Sequence, residues 1–173
     1  MKRIAVVIPP DKFRDEELFI PLQAWKQADI QTTLFSTVLT EVTGDVGGKA
    51  TPDALLDSLQ PQQYDAIAVI GGTGTVTHLW ANQKLRDILL EFERARKPVT
   101  AICAGSVTLA RAGLLTGKPA TTYPAEPMIA ELKAHGARYS SDHALTSGSI
   151  VTGDGPDGAQ QYADQVIRVL ETR

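Results

Sequence analysis

Short apolar stretches recur along the chain and predict strands. They lie at residues 4–8, 64–70 and 99–102, and residues 31–35 predict a further strand by alternation of residues. The first is a continuous run of β-branched and small apolar residues, which is typical of a parallel strand buried on both faces. Two further segments with strand character are a short one at 120–123 and a hairpin-like one at 144–152.

Between the strands, apolar residues recur every three to four positions and predict amphipathic helices. Helices are expected at residues 15–28, 53–59, 85–95, 105–113, 128–135 and 156–170. Residues 38–52 interrupt this alternation with three glycines and predict a hairpin-like excursion. Strands that alternate with helices predict an α/β fold with a mainly parallel sheet and helices on both faces.

Length and composition are those of one soluble domain spanning residues 1–173. The chain is 43% hydrophobic and 21% charged, which supports a core of ordinary size. The net charge is −3 without a basic run, so we expect neither nucleic-acid nor membrane partners. The apolar start is too short for a signal peptide or a membrane span. The single cysteine cannot form an intrachain disulfide, and we therefore expect a reducing, cytoplasmic location.

Cys103 is the first candidate for chemistry. It stands between the predicted strand at 99–102 and the following helix, with Ala101, Ala104 and Gly105 as small neighbours. A nucleophile in a sharp strand-to-helix turn has the geometry of a nucleophile elbow, and the start of a helix favours a thiolate over a thiol. The alternative is an inert core residue, because free cysteines are among the most buried residues.

Two other features fall at the same predicted edge of the sheet. Sites in open parallel sheets form outside the carboxyl ends of the strands, where a glycine-rich turn at 71–74 and the acids Glu16 and Glu17 join Cys103. The turn lacks the third glycine of a dinucleotide fingerprint, because Thr77 stands there, so we expect no nucleotide. It is expected to bring backbone N–H groups close to a substrate oxygen. The alternative for the glycine-rich turn is that it only connects a strand to a helix. The alternative for Glu16 and Glu17 is that they only stabilise the start of a helix.

Several short motifs together resemble the ThiJ/PfpI superfamily. They are Ala-Ile-Cys-Ala-Gly at 101–105, Gly-Gly at 71–72, Ala-Thr-Thr-Tyr-Pro at 120–124, an acidic segment at 16–21 and Asp-Gly-Pro at 154–156. The resemblance covers nearly the whole chain. It implies a flavodoxin-like three-layer sandwich and a homodimer. It also implies that Cys103 is the nucleophile, that Glu17 hydrogen-bonds its sulfur, and that the N–H groups of Gly72 and Ala104 form an anion pocket.

Glu17 suits this role only when it carries a proton. Burial and a neighbouring thiolate both raise the pKa of a carboxyl group, which then donates a hydrogen bond. Pro21 has no N–H to donate to the carbonyl of Glu17, so it perturbs the helix beside the acid. We therefore favour Glu17 over Glu16 as the partner of Cys103.

The chain departs from the family pattern at the histidine positions. Peptidase-like members have a histidine where Ala104 stands, and another branch has one where Tyr123 stands. A peptidase mechanism is therefore disfavoured, with Tyr123 and His78 as accessory candidates. The scattered histidines show no metal-ligand spacing, so we expect no metal and no cofactor.

The resemblance implies a glyoxalase-like or deglycase-like enzyme that acts on small α-oxoaldehydes in stress defence. Its partner would be a small carbonyl substrate such as methylglyoxal. One alternative is a non-enzymatic sensor, in which an oxidant converts Cys103 to a sulfinate. Another is an isocyanide hydratase, which ranks lower because that branch has aspartate where Glu17 stands and threonine where Ala104 stands. The last is a folded relative without chemistry at Cys103.

Overall fold

The computed structural model describes residues 1–173 and contains one large sheet. The strands β1 to β11 are, in chain order, Arg3–Val7, Gln31–Ser36, Val42–Thr43, Lys49–Ala50, Ala54–Leu55, Ala66–Val69, Val99–Ile102, Pro119–Ala120, Arg138–Tyr139, Ala144–Ser147 and Ile150–Gly153. Seven of them form the large sheet in the order β10-β11-β7-β6-β1-β2-β5. Its neighbours are parallel except for the hairpin of β10 and β11.

Helices cover both faces of this sheet. The helices α1 to α6 are Asp15–Gln27, Thr73–His78, Gln83–Arg94, Gly105–Arg111, Glu126–Ala134 and Ala159–Glu171. Leu18 and Trp25 of α1 pack with α6 on one face, whereas Leu89 of α3 packs with α4 and α5 on the other. Successive strand residues point to opposite faces, so Val6 and Val7 belong to different cores. The predicted three-layer α/β sandwich is confirmed. None of the helices has both the length and the apolar character needed to cross a bilayer.

Four elements differ from the sequence prediction. The segment expected to be a helix at 53–59 begins as the edge strand β5 and continues as a short 3-10 turn. The sequence prediction also lacks α2, because its glycine and β-branched residues disfavour a helix. At 120–123 only Ala120 is in a strand. The last helix starts at Ala159, because Pro156 opens a separate 3-10 turn before it.

The parallel strands bring four loops to one edge of the sheet. β1, β6, β7 and β11 all run in the same direction and are neighbours in the sheet. Their carboxyl ends lead to α1 with Glu17, to Gly72, to Cys103 and to Gly155 respectively. Residues far apart in the sequence therefore meet at this edge.

Candidate active site

Cys103 occupies the turn between β7 and α4 in a left-handed backbone conformation. Its φ is 58°, which costs a residue other than glycine about 1 kcal/mol. Its N–H donates to the carbonyl of Gly153 at 2.9 Å. The turn needs Gly105, because a Cβ there would collide with the carbonyl of Val69 on β6. The strand-to-helix turn is therefore a sharp elbow, with Cys103 at its bend and 6% exposed.

The carboxyl group of Glu17 lies against Cys103. The Glu17 residue is 0% exposed, and its Oε1 accepts the N–H of Gly71 at 3.0 Å. Its Oε2 is buried without a hydrogen-bond partner of good geometry. A Cβ on Gly71 would lie 2.5 Å from Glu17 Oε1 and 2.7 Å from the Cβ of Cys103. Only glycine at position 71 lets the acid and the thiol approach each other this closely.

Burial changes the protonation of both groups. It raises the pKa of Glu17 to about 8, against the smaller opposing effects of Cys103 and the Gly71 N–H. Burial also raises the pKa of the Cys103 thiol well above its ordinary range, and Glu17 adds to that rise. The N–H groups of Ala104 and Gly72 oppose the rise in the thiol pKa. The N–H group at the helix start thus acts toward a thiolate, as expected, while burial acts in the opposite direction and is the larger effect on the thiol pKa.

Glu17 is the group of this pair that titrates close to neutral pH. With both protons bound, Glu17 is a neutral acid and Cys103 a neutral thiol. Because the pKa of Glu17 is about 8, one proton leaves the pair just above neutrality. The thiol keeps its proton at this point, because its pKa lies higher. A carboxyl group with the pKa of Glu17 both accepts and donates protons near neutral pH.

The free energy of unfolding is expected to depend on pH because the pKa of Glu17 is raised in the folded protein. A carboxyl group whose pKa rises on folding stabilises the fold fully below its unfolded pKa, and this stability is lost as pH rises through the folded pKa. For Glu17 the window runs from about pH 4.5 to about pH 8. The free energy of unfolding of wild type should fall across it relative to Glu17→Gln, by up to about 4 kcal/mol.

Urea unfolding followed by tryptophan fluorescence at pH 5 and pH 8 measures this difference. Glu16→Gln is the matched control, because Glu16 is the adjacent residue but is partly exposed and paired with Arg14 at 2.8 Å. Its stability difference from wild type should stay nearly constant over the same pH range. A Glu17→Gln difference that does not grow with pH would show that Glu17 titrates normally in the folded protein.

An open pocket of about 410 Å³ leads to Cys103 and Glu17. Its other lining residues are Arg14, Glu16, Asp45, Gly72, Thr73, Val76, Tyr123, Met128, Pro156 and Asp157. This volume suits a small molecule. The structure thus brings together the residues that the sequence singled out. Cys103, Glu17, Gly72 and Tyr123 all line the pocket, and Ala104 follows Cys103 in the chain. Tyr123 is 43% exposed. A separate depression of about 610 Å³ beside Arg111 and Glu131 holds no nucleophile.

None of the three histidines lines this pocket. Each is near an acidic side chain elsewhere: His78 with Asp11 at 3.2 Å, His135 with Glu131 at 3.7 Å, and His143 with Asp154 at 2.9 Å. The Cys–His pair of peptidase-like relatives is therefore missing. Of the two accessory candidates, Tyr123 lines the pocket and His78 does not. No cluster of three or more side chains suited to a metal ion is present.

The sequence missed one wall of the pocket. Asp45, in the loop between β3 and β4, accepts the N–H of Thr73 at 3.0 Å and its hydroxyl at 2.6 Å. Asp15, at the start of α1, accepts the N–H groups of Val46 and Gly48 at 2.9 Å and 2.6 Å. These hydrogen bonds hold the β3–β4 hairpin against α1 and the start of α2, next to the pocket. The glycines at 44, 47 and 48 were the only local signal, and they indicate a turn without showing what it touches.

The DJ-1/PfpI family model matches residues 2–169 of this chain. The chain belongs to the DJ-1/PfpI family. An uncharacterized protein of Methanocaldococcus jannaschii is 38% identical over 98% of this chain and 82% of its own. Protein/nucleic acid deglycase 2 of Escherichia coli is 28% identical over 98% of both chains. A putative cysteine protease of Bacillus subtilis is 29% identical over 98% of this chain and 99% of its own.

The fold is also that of a solved relative in the DJ-1/PfpI family. The ThiJ/PfpI domain protein from Brachyspira murdochii superimposes with a TM-score of 0.94 at 27% identity. The alignment covers 99% of this chain and 97% of that one. The sequence-based assignment to this family is therefore confirmed.

Proposed function

We propose that this DJ-1/PfpI protein is a cofactor-independent, glyoxalase-like or deglycase-like enzyme that acts on small α-oxoaldehydes. The observation that carries the proposal is the buried Glu17 carboxyl, with its pKa raised to about 8, against the only cysteine in an open pocket. A group with this pKa takes up and returns protons near neutral pH. The name of the Escherichia coli relative, a deglycase, supports the same class of reaction.

The reaction begins when the sulfur of Cys103 adds to the aldehyde carbon of methylglyoxal. Glu17 takes the thiol proton, a carbon–sulfur bond forms, and the carbonyl electron pair moves onto oxygen. The N–H groups of Gly72 and Ala104 stabilise the negative oxygen until Glu17 passes the thiol proton to it and becomes a carboxylate again. The product of this step is a hemithioacetal. Because Glu17 serves as the base, the step needs neither a histidine nor a thiolate formed in advance.

Glu17 then moves a proton between the two substrate carbons. As a carboxylate it removes the proton from the carbon bonded to sulfur, which leaves an enediolate, and the hydroxyl proton on that carbon moves to the neighbouring oxygen. As a carboxylic acid it returns a proton to the neighbouring carbon, and the substrate becomes a lactate thioester of Cys103. Water breaks the carbon–sulfur bond and releases lactate and the thiol. Methylglyoxal and water thus give lactate without an external oxidant or reductant.

The experiment that tests the proposal follows lactate formation from methylglyoxal in a buffer without added thiols. The matched control is the same protein with Cys103 blocked by iodoacetamide, a clean modification because the chain has 1 cysteine. We expect lactate only from the unmodified protein. Equal lactate from both samples would contradict the proposal. No lactate, combined with conversion of Cys103 to a sulfinate by mild peroxide, would favour the sensor alternative instead.

A further inference from the structure

The peptide group between Cys103 and Ala104 is held from outside the elbow. The carbonyl of Cys103 accepts the hydroxyl of Thr122 at 2.8 Å and the N–H of Ser106 at 3.1 Å. Thr122 is fully buried in the loop after β8. That loop is fixed to the sheet, because the N–H of Thr121 donates to the Thr152 hydroxyl on β11 at 3.0 Å.

The orientation of this peptide group determines where the Ala104 N–H points. A trans peptide is planar, so its C=O and N–H point in opposite directions and rotate together. The Ala104 N–H acts on the Cys103 sulfur, because it lowers the pKa of the thiol. Whatever holds the Cys103 carbonyl therefore also aims the Ala104 N–H.

We propose that Thr122 is a positioning residue for the anion pocket: its hydroxyl holds the Cys103 carbonyl and so aims the Ala104 N–H at the sulfur and at the substrate oxygen. The role toward the substrate rests on the proposed function, whereas the role toward the sulfur does not. Trp80 holds the next peptide group in the same manner, since its indole N–H donates to the Ala104 carbonyl at 2.8 Å. Two side chains from separate loops thus fix successive peptide groups of the elbow.

The test compares Thr122→Val with Thr121→Val. Both residues are 0% exposed, but the Thr121 hydroxyl has no hydrogen-bond partner, so Thr121→Val controls for loss of a buried hydroxyl. We expect the rate of Cys103 alkylation by iodoacetamide at pH 8 to fall about three- to tenfold in Thr122→Val. Its pH profile should shift upward because the thiol pKa rises. Thr121→Val should stay within about twofold of wild type.

A second pair keeps the test decisive if Thr122→Val does not fold. Thr122→Ser retains the hydroxyl and should alkylate close to the wild-type rate, whereas Thr122→Ala should be slow. Lactate formation gives a further readout, in which kcat falls and KM stays constant, because the N–H acts on charge that develops in the transition state. Normal alkylation in both Thr122→Val and Thr122→Ala, or slow alkylation in Thr122→Ser, overturns the inference. Because alkylation needs no turnover, these results stand even if methylglyoxal is not a substrate.

Discussion

Cys103→Ser is expected to abolish lactate formation from methylglyoxal, with a loss of at least about 10³-fold. A serine hydroxyl ionises far above the range in which Glu17, with a pKa of about 8, accepts a proton. Oxygen is also a poorer nucleophile than sulfur toward a carbonyl carbon, and it cannot form the thioester through which the proposed reaction passes. The pocket, the acid and the backbone N–H groups all remain, so the variant isolates the sulfur itself.

Ser106→Ala is the matched control for Cys103→Ser. Ser106 lies in the first turn of α4, is fully buried, and its hydroxyl has no hydrogen-bond partner. We expect this variant to keep wild-type activity. Product formation is followed by proton NMR of lactate, and thermal unfolding checks that both variants are folded. Lactate production by folded Cys103→Ser at more than a tenth of the wild-type rate would rule out covalent catalysis by the cysteine.

Glu17→Gln is expected to lower kcat for lactate about 10²- to 10⁴-fold, the usual contribution of a general base. The wild-type rate should rise with pH and level off above about pH 8, because the carboxylate form increases as Glu17 loses its proton. A glutamine amide has nearly the shape of the protonated carboxyl group but cannot accept a proton. The inflection near pH 8 should therefore disappear from the activity profile and from the iodoacetamide profile of Cys103.

Two variants separate this chemical effect from a structural one. Glu16→Gln changes the neighbouring acid, whose pKa is lowered by its hydrogen bond with Arg14, and should leave the pH profile unchanged. Glu17→Asp keeps a carboxyl group on a shorter side chain and should retain the inflection with a reduced rate. The idea fails if Glu17→Gln shows the wild-type inflection, since another group would then be supplying the proton transfer.

The fold was predictable because its strands are short apolar runs separated by amphipathic helices. Each run that forms β1, β2, β6 and β7 is local in the sequence, and its burial follows from its own residues. The misplaced elements are those that lack such a local signal. β5 is a strand only because its two residues pair with Phe35 and Ser36. α2 is a single short helix whose residues have weak helix propensity.

The candidate site, too, could be predicted from the sequence only where the signal is local. Cys103, Glu17 and Gly72 could be identified from the sequence because each follows a predicted strand of a parallel sheet. The direction of the thiol pKa shift could not be predicted from the sequence. The sequence shows the helix start but not the depth of burial, and desolvation is the largest effect on this pKa. The roles of Asp45 and Thr122 also depend on contacts across 28 and 19 residues, which no local pattern predicts.

Asp15 and Glu17 are separated by one residue in the first turn of α1, and each does a different task. Asp15 anchors the hairpin that walls the pocket, while Glu17 supplies the proposed proton transfer. A rotation or slide of α1 therefore moves the mouth of the pocket and the acid in one motion. The wall of the pocket and the buried acid therefore share a single support, the first turn of α1.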